Sequence, residues 1–186
     1  MCPAPLPDTH EVINELMRTA ASRPLYPLEL MKLKKAADLL LPEEPHIARS
    51  VYGVIACLKG DEATMRREHE MSIQLKPWDA DMHRNYGRSL YEHGHVKESI
   101  PHMVRAVELA PEDLPALDFL IKYAYAAGET AILDAWLPEF VKRAGTEHDV
   151  REYLREDLED VELLDQAKKQ GEPNVAWETL KAELGL

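Results

Sequence analysis

Residues 80–113 read ADMHRNYGRSLYEHGHVKESIPHMVRAVELAPED, a stretch of 34 residues. The preceding stretch, 46–79, falls on it in register. Tyr52 and Gly53 lie over Tyr86 and Gly87, and Lys59-Gly60-Asp61 lies over His93-Gly94-His95. The run from Ser72 to Pro77 lies over the run from Ala106 to Pro111. A third copy opens at Leu114, where Ala126-Ala127-Gly128-Glu129 meets the same turn. Self-similarity at a fixed interval of this size marks a repeat architecture, in which each copy buries its apolar face against the next.

Each copy reads as helix, turn, helix. Asp79 is a capping residue for a helix running to about Glu92. Gly94 supplies the left-handed backbone that ends it. A second helix runs from about Val96 to Leu109, and Pro111 stops the chain from continuing helically. Small residues stand where the two helices approach: Gly87, Ser99 and Ala106. The earlier copy has Gly53 and Ser72 at two of these places but Met65 at the third, so a looser contact is expected there.

This pattern resembles the tetratricopeptide repeat (TPR). Tyr86, Gly87, Gly94, Ser99, Ala106 and Pro111 occupy its aromatic, glycine, small-residue and proline places. The resemblance covers 46–113 in full and 114–140 in part. It implies an all-α fold, a right-handed superhelix of antiparallel helix pairs closed by C-terminal capping helices. Expected boundaries are a flexible lead-in at 1–7, a degenerate N-terminal hairpin at 8–45, a repeat array at 46–145 (46–79, 80–113, 114–145), and capping helices at 146–186. Upstream, Val12, Ile13, Leu16 and Met17 have the spacing of a first helix, and Ala37 to Pro42 resembles the end of a second. Pro138 lies inside the last repeat's second helix and is expected to kink or end it. Beyond it, Val150, Tyr153, Leu154, Leu158 and Val161 share one helix face, and Trp177, Leu180 and Leu184 another. These two helices are expected to cover the end of the stack.

The resemblance also implies where a partner lies, in a groove lined by the first helix of each repeat. Carried over residue by residue, the middle repeat contributes Asp81, Arg84, Arg88, Tyr91 and Glu92. The earlier one contributes Ile47, Ser50, Val54, Cys57 and Leu58, and the later one Pro115, Asp118, Lys122, Tyr125 and Ala126. Arg84, Arg88 and Tyr91 are spaced i, i+4, i+7 and share a face. Two readings stand. Arg84, Arg88 and Lys122 clamp an anionic ligand beside Tyr91 and Tyr125, or they pair with Asp81, Glu92 and Asp118 as solvated ion pairs. The carboxylate clamp of chaperone-binding TPRs is not matched. Of its five places only Asn85 carries the required residue, while Ser50, Val54, Pro115 and Phe119 fill the others.

Composition narrows the function. Hydrophobic residues make up 45% of the chain, enough to fold. The 34 acidic residues outnumber 22 basic ones for a net charge of −12, and no basic run offers a phosphate-binding stripe. Nucleic acid is therefore not an expected partner. No apolar stretch reaches the length of a membrane span, and the start of the chain lacks the charged and apolar regions of a secretory signal. Cys2 and Cys57 make no disulfide framework, which fits reduced thiols in the cytoplasm. Eight histidines include His93 and His95 in a turn, with His69, His83 and His102 elsewhere. Without a Cys pair or a His-x3-His face the ligand set is incomplete, and no metal or cofactor is expected. No nucleophile elbow or phosphate-binding loop is present, and nothing places a base beside Cys57.

The expected function is thus a non-catalytic module that binds another protein or a peptide segment in the groove. An alternative is a dedicated chaperone for a secreted or aggregation-prone client, resembling the small acidic TPR chaperones of type III secretion. That alternative adds the expectation of a wet apolar groove and a homodimer.

Overall fold

The structure, a computed structural model, describes residues 8–144. The lead-in 1–7 and the expected capping helices at 146–186, with Trp177, Leu180 and Leu184, lie outside the described residues. Eight helices follow one another: α1 (Thr9–Ser22), α2 (Pro27–Leu40), α3 (Pro45–Leu58), α4 (Glu62–Leu75), α5 (Ala80–Glu92), α6 (Val96–Leu109), α7 (Leu114–Ala127) and α8 (Thr130–Ala144). Among the described residues there is no strand. The fold is all-α and TPR-like, built from helical hairpins repeated in the register of the sequence. The chain divides into two compact units, Met1–Leu133 and Asp134–Leu186, with the division inside α8.

One turn design recurs three times. Gly60, Gly94 and Gly128 have φ of 73°, 81° and 71° and end the first helices of their hairpins. The N–H after each glycine reaches back across the turn: Asp61 to the Ala56 carbonyl, His95 to that of Leu90, and Glu129 to that of Ala124. These bonds satisfy carbonyls that a helix end leaves without partners. Aspartates cap the starts of α4, α5 and α7. Asp61 accepts from the Thr64 N–H, Asp79 from that of Asp81, and Asp113 from that of Ala116. Such a cap is worth about 1 kcal/mol.

Of the two outcomes expected at Pro138, a kink or an end, the end does not occur: α8 runs from Thr130 to Ala144 with that proline inside it. Pro101 lies within α6 in the same way. A proline removes one backbone bond while the turns on either side keep theirs, so a helix can carry it. The contact at Met65 is not loose either. Met65 is fully buried, and α3 packs on α4 as extensively as α5 packs on α6. Its unbranched side chain fills the gap that a small residue would leave, against Ala56, Tyr86 and Leu90.

The core runs between neighbouring helices. Ile13 and Leu16 of α1 meet Leu33, Ala36, Ala37 and Leu40 of α2, with Ala48, Val51 and Ile55 of α3 behind them. Burying each large aliphatic side chain contributes about 1.5–3 kcal/mol. The closest approaches use the two helical glycines. A Cβ on Gly53 would stand 2.6 Å from the His69 ring, and one on Gly87 would stand 2.8 Å from the Met103 methyl.

This geometry separates two kinds of glycine. In Gly53→Ala the His69 ring is fully buried and cannot yield, so overpacking of about 1–3 kcal/mol outweighs the gain in helix propensity of about 1 kcal/mol. In Gly94→Ala there is open space, and the loss is the left-handed backbone cost of about 1–2 kcal/mol. Urea unfolding of both variants should show lower midpoints. A Gly94→Leu variant should be no worse than Gly94→Ala, whereas Gly53→Leu should not fold.

Candidate functional site

The first helices of the hairpins line two adjoining clefts. One, of about 580 Å³, is bounded by Met17, Ala20 and Pro24 on one side and by Val54, Cys57, Leu58, Arg88 and Glu92 on the other. The second, of about 660 Å³, extends from Ile13 and Asn14 past Ile47 and Ser50 to Arg84, Pro115 and Phe119. They share Met17, Asn85 and Arg88. The first cleft is largely apolar at its α1–α3 end, and Arg88 stands at the junction.

The residues read from the sequence divide by what holds them. Arg84 is ion-paired twice, to Asp81 on its own helix at 2.6 Å and to Asp113, the cap of α7. Lys122 pairs with Asp118 one turn away at 3.0 Å. The solvated-pair reading thus describes these two cations. Arg88 is ion-paired to no carboxylate among the described residues. Its guanidinium lies 4.8 Å above the Phe119 ring, and its buried Nε has no hydrogen-bond partner. The contact with Phe119 and an interaction with the Tyr123 side chain position this cation at the junction of the clefts.

Tyr91 does lie beside α7, but against a residue the sequence reading had not singled out. Its ring stacks on Tyr123 at 3.9 Å between centroids with an 8° tilt, and Phe119 also stacks on Tyr123, at 5.9 Å. Val54 and Cys57 both line the apolar end. Burial pushes the Cys57 thiol up, and its Sγ–H lies 3.9 Å from the Ser89 carbonyl. A raised thiol is a poorer nucleophile at neutral pH. Tyr125 belongs to neither cleft lining.

Two contributions had weak sequence signals. Phe119 and Tyr123 are spaced i, i+4 and so share a face of α7. The wall from α1 has only the spacing of Ile13 and Met17, since no repeat register reaches that far upstream.

Behind the groove lies a buried polar core. His69, fully buried, shares a 2.9 Å hydrogen bond with the Ser89 hydroxyl and stacks on Tyr86 at 5.1 Å. Tyr86 in turn meets His102 at 4.5 Å. The Pro77 carbonyl can only accept, so His83 carries a proton on Nε2 and faces Nδ1 of His102 at 3.4 Å with its own Nδ1. His95 instead bridges Glu62 and Glu98. Among the described residues no three His, Cys, Asp or Glu side chains converge as a metal site would require. Glu68 is a buried carboxylate held by Arg49 at 2.8 Å and Arg67 at 2.9 Å. Burial works to raise it, but the two arginines outweigh that and hold it below the usual carboxylate range.

No protein-family model matches the chain, and no curated protein matches it. Among solved structures it is similar to an O-GlcNAc transferase mutant from Thermobaculum terrenum, at 21% identity and a TM-score of 0.48. The likeness covers 65% of this chain and 24% of the other, so the chain spans about a quarter of that protein.

The buried histidines give the fold a pH dependence whose sign is set. Burial, followed by the nearby His102, pushes His69 down to about 3. Burial, followed by His83, pushes His102 down to about 4. Both titrate near 6.5 when unfolded, so the unfolded chain takes up these protons first as pH falls. Stability is therefore full above pH 6.5 and declines from there toward pH 4, by about 1.4 kcal/mol per pH unit for each histidine. Urea unfolding measured across this window should show that slope, and His69→Leu should reduce it by one proton's worth.

Proposed function

We propose that this chain is a non-catalytic protein-interaction module that holds a segment of a partner protein across the clefts of α1, α3, α5 and α7. The observation that carries the reading is Arg88. It stands where the two clefts join, cushioned on Phe119, while the neighbouring cations Arg84 and Lys122 have carboxylates of their own. The partner segment would place apolar side chains against Met17, Val54, Cys57 and Leu58 and a carboxylate on Arg88. Phe119 in the lining and a cation seated on its ring supply such a contact with little loss of side-chain freedom.

No catalytic step, metal or cofactor enters this reading. Burial raises the thiol of Cys57, the one free cysteine among the described residues, and the nearby Glu92 carboxylate also acts to raise it. No described helix is long and apolar enough to cross a membrane. With the acidic composition, this supports a cytoplasmic protein partner rather than a nucleic acid or a bilayer. The apolar end of the cleft favours one further reading, a chaperone that shields a hydrophobic stretch of its client, with or without a homodimer. The two differ in what dominates affinity, Arg88 for an acidic segment or the Met17–Val54–Leu58 wall for an apolar client.

Affinity capture followed by mass spectrometry would supply the partner, and fluorescence anisotropy its affinity. Arg88→Glu should weaken binding at least about tenfold, with the melting curve within about 1 kcal/mol of wild type. Affinity should also fall as salt rises, because exposed charge attraction is screened over about 8–10 Å. A partner bound with wild-type affinity by the double variant Arg84→Glu, Arg88→Glu would place the binding surface elsewhere on the molecule.

A further inference from the structure

The second helices of the hairpins turn their outer faces away from the clefts, and these faces are not alike. On α4, Arg67, Glu70 and Gln74 are exposed with Leu75 at the helix end, and on α6, Lys97, Glu98, Arg105 and Glu108 are exposed. On α2 the outer face carries three large apolar side chains. Leu28 is 63% exposed, Met31 68% and Leu39 62%. Together with exposed Lys32 and Lys35 they fall at i, i+3, i+4, i+7 and i+11, which is one stripe along the helix. The opposite stripe, Leu33, Ala36, Ala37 and Leu40, is the one that packs on α1 and α3. Tyr26, 66% exposed, stands at the N-terminal end of α2 with the Arg23 guanidinium 4.8 Å over its ring.

The charges on this stripe say what fits it. Lys34 and Asp38, at its border, pair with each other at 2.8 Å. Lys32 and Lys35 make no ion pair within 4 Å among the described residues, in a chain whose net charge is −12. Three large apolar side chains interleaved with two lysines, of which Lys32 also feels the Glu29 carboxylate, complement a helix with an apolar seam and acidic flanks. A second copy of α2 packed antiparallel on the first would bring lysine against lysine, which like-charge repulsion disfavours. An anionic bilayer would gain two cations and face the remaining negative charge of the whole chain.

We propose that the outer face of α2 is a second docking surface, one that takes an acidic amphipathic helix of a partner protein, with Leu28, Met31 and Leu39 as anchors and Lys32 and Lys35 as flanking charges. It is independent of the cleft, whose lining contains no residue of α2.

The test uses a synthetic peptide of about 18 residues, long enough to hold a helix, with leucine at i, i+3, i+4 and i+7 and glutamate on both flanks. Binding to the full chain is followed by anisotropy. The five stripe side chains project into solvent, so replacing them leaves the core untouched. Binding is expected with wild type. It should be lost, at least about tenfold, in Met31→Glu with Leu39→Glu, and weakened about tenfold in Lys32→Glu with Lys35→Glu. Arg88→Glu should leave it unchanged, which separates this surface from the cleft. The proposal is overturned if the peptide does not bind, or if a version with lysine flanks binds equally well. It is also overturned if Arg88→Glu abolishes binding while the α2 variants do not. Capture of the wild-type chain, but not Met31→Glu, by anionic vesicles would overturn it in favour of a membrane. A wild-type dimer in sedimentation that Met31→Glu dissolves would overturn it in favour of a second copy.

Discussion

The contact between Gly53 and the His69 ring sets the distance between α3 and α4, and much of the molecule is arranged around it. The imidazole lies where a Cβ would be, so the helices approach more closely than side chains would otherwise permit. That position brings His69 against the Ser89 hydroxyl and the Tyr86 ring, both on α5. The same approach recurs at Gly87, where Met103 of α6 fills the place of the missing Cβ. Once these spacings are fixed, the first helices share one side of the array, and the cleft is a consequence of core packing rather than of any loop.

Most polar groups in this core have partners, Nδ1 of His69 being an exception among the described residues, and the partners lie both within and between hairpins. Asn85 donates to the Ser50 hydroxyl at 3.0 Å, and the Ser72 hydroxyl donates to the His46 carbonyl at 2.6 Å. Glu68 is buried between Arg49 of the helix before it and its neighbour Arg67. A buried carboxylate with one partner removed costs about 3–5 kcal/mol, whereas the intact pair adds little, so such groups act mainly against wrong registers. Arg66 does the same at the surface, joining Glu62 on its own helix to Glu98 on α6.

How much of this could be read beforehand depended on whether the signal was local. Gly60, Gly94 and Gly128 need a left-handed backbone whatever surrounds them, so their recurrence located three turns before any packing was known. Asp79 was legible as a cap for the same reason. Pro138 does not end α8 because its local penalty is smaller than the stabilisation from the helix's remaining bonds. Met65 misled because side-chain flexibility, not volume alone, decides what a tight contact accepts. At the candidate site, helix spacing placed Arg84 and Arg88 on one face but could not assign their partners. Arg84 is held by Asp113, a cap in the next hairpin, and Arg88 rests on Phe119 of α7. Those are tertiary facts with no sequence period. The α1 wall of the cleft was out of reach because the repeat register does not extend to it.

The helices pack chiefly on their neighbours in the chain, α1 on α2, α2 on α3, and so on through α7. A molecule wired in this way behaves as a one-dimensional chain of coupled units, in which opening at one end need not be felt at the other. The cleft linings reach beyond that pattern, since the second cleft alone is bordered by residues of α1, α3, α5 and α7. Anything seated there touches helices of four successive hairpins at once. Occupancy would therefore act as a longitudinal tie, converting graded fraying into a single cooperative transition.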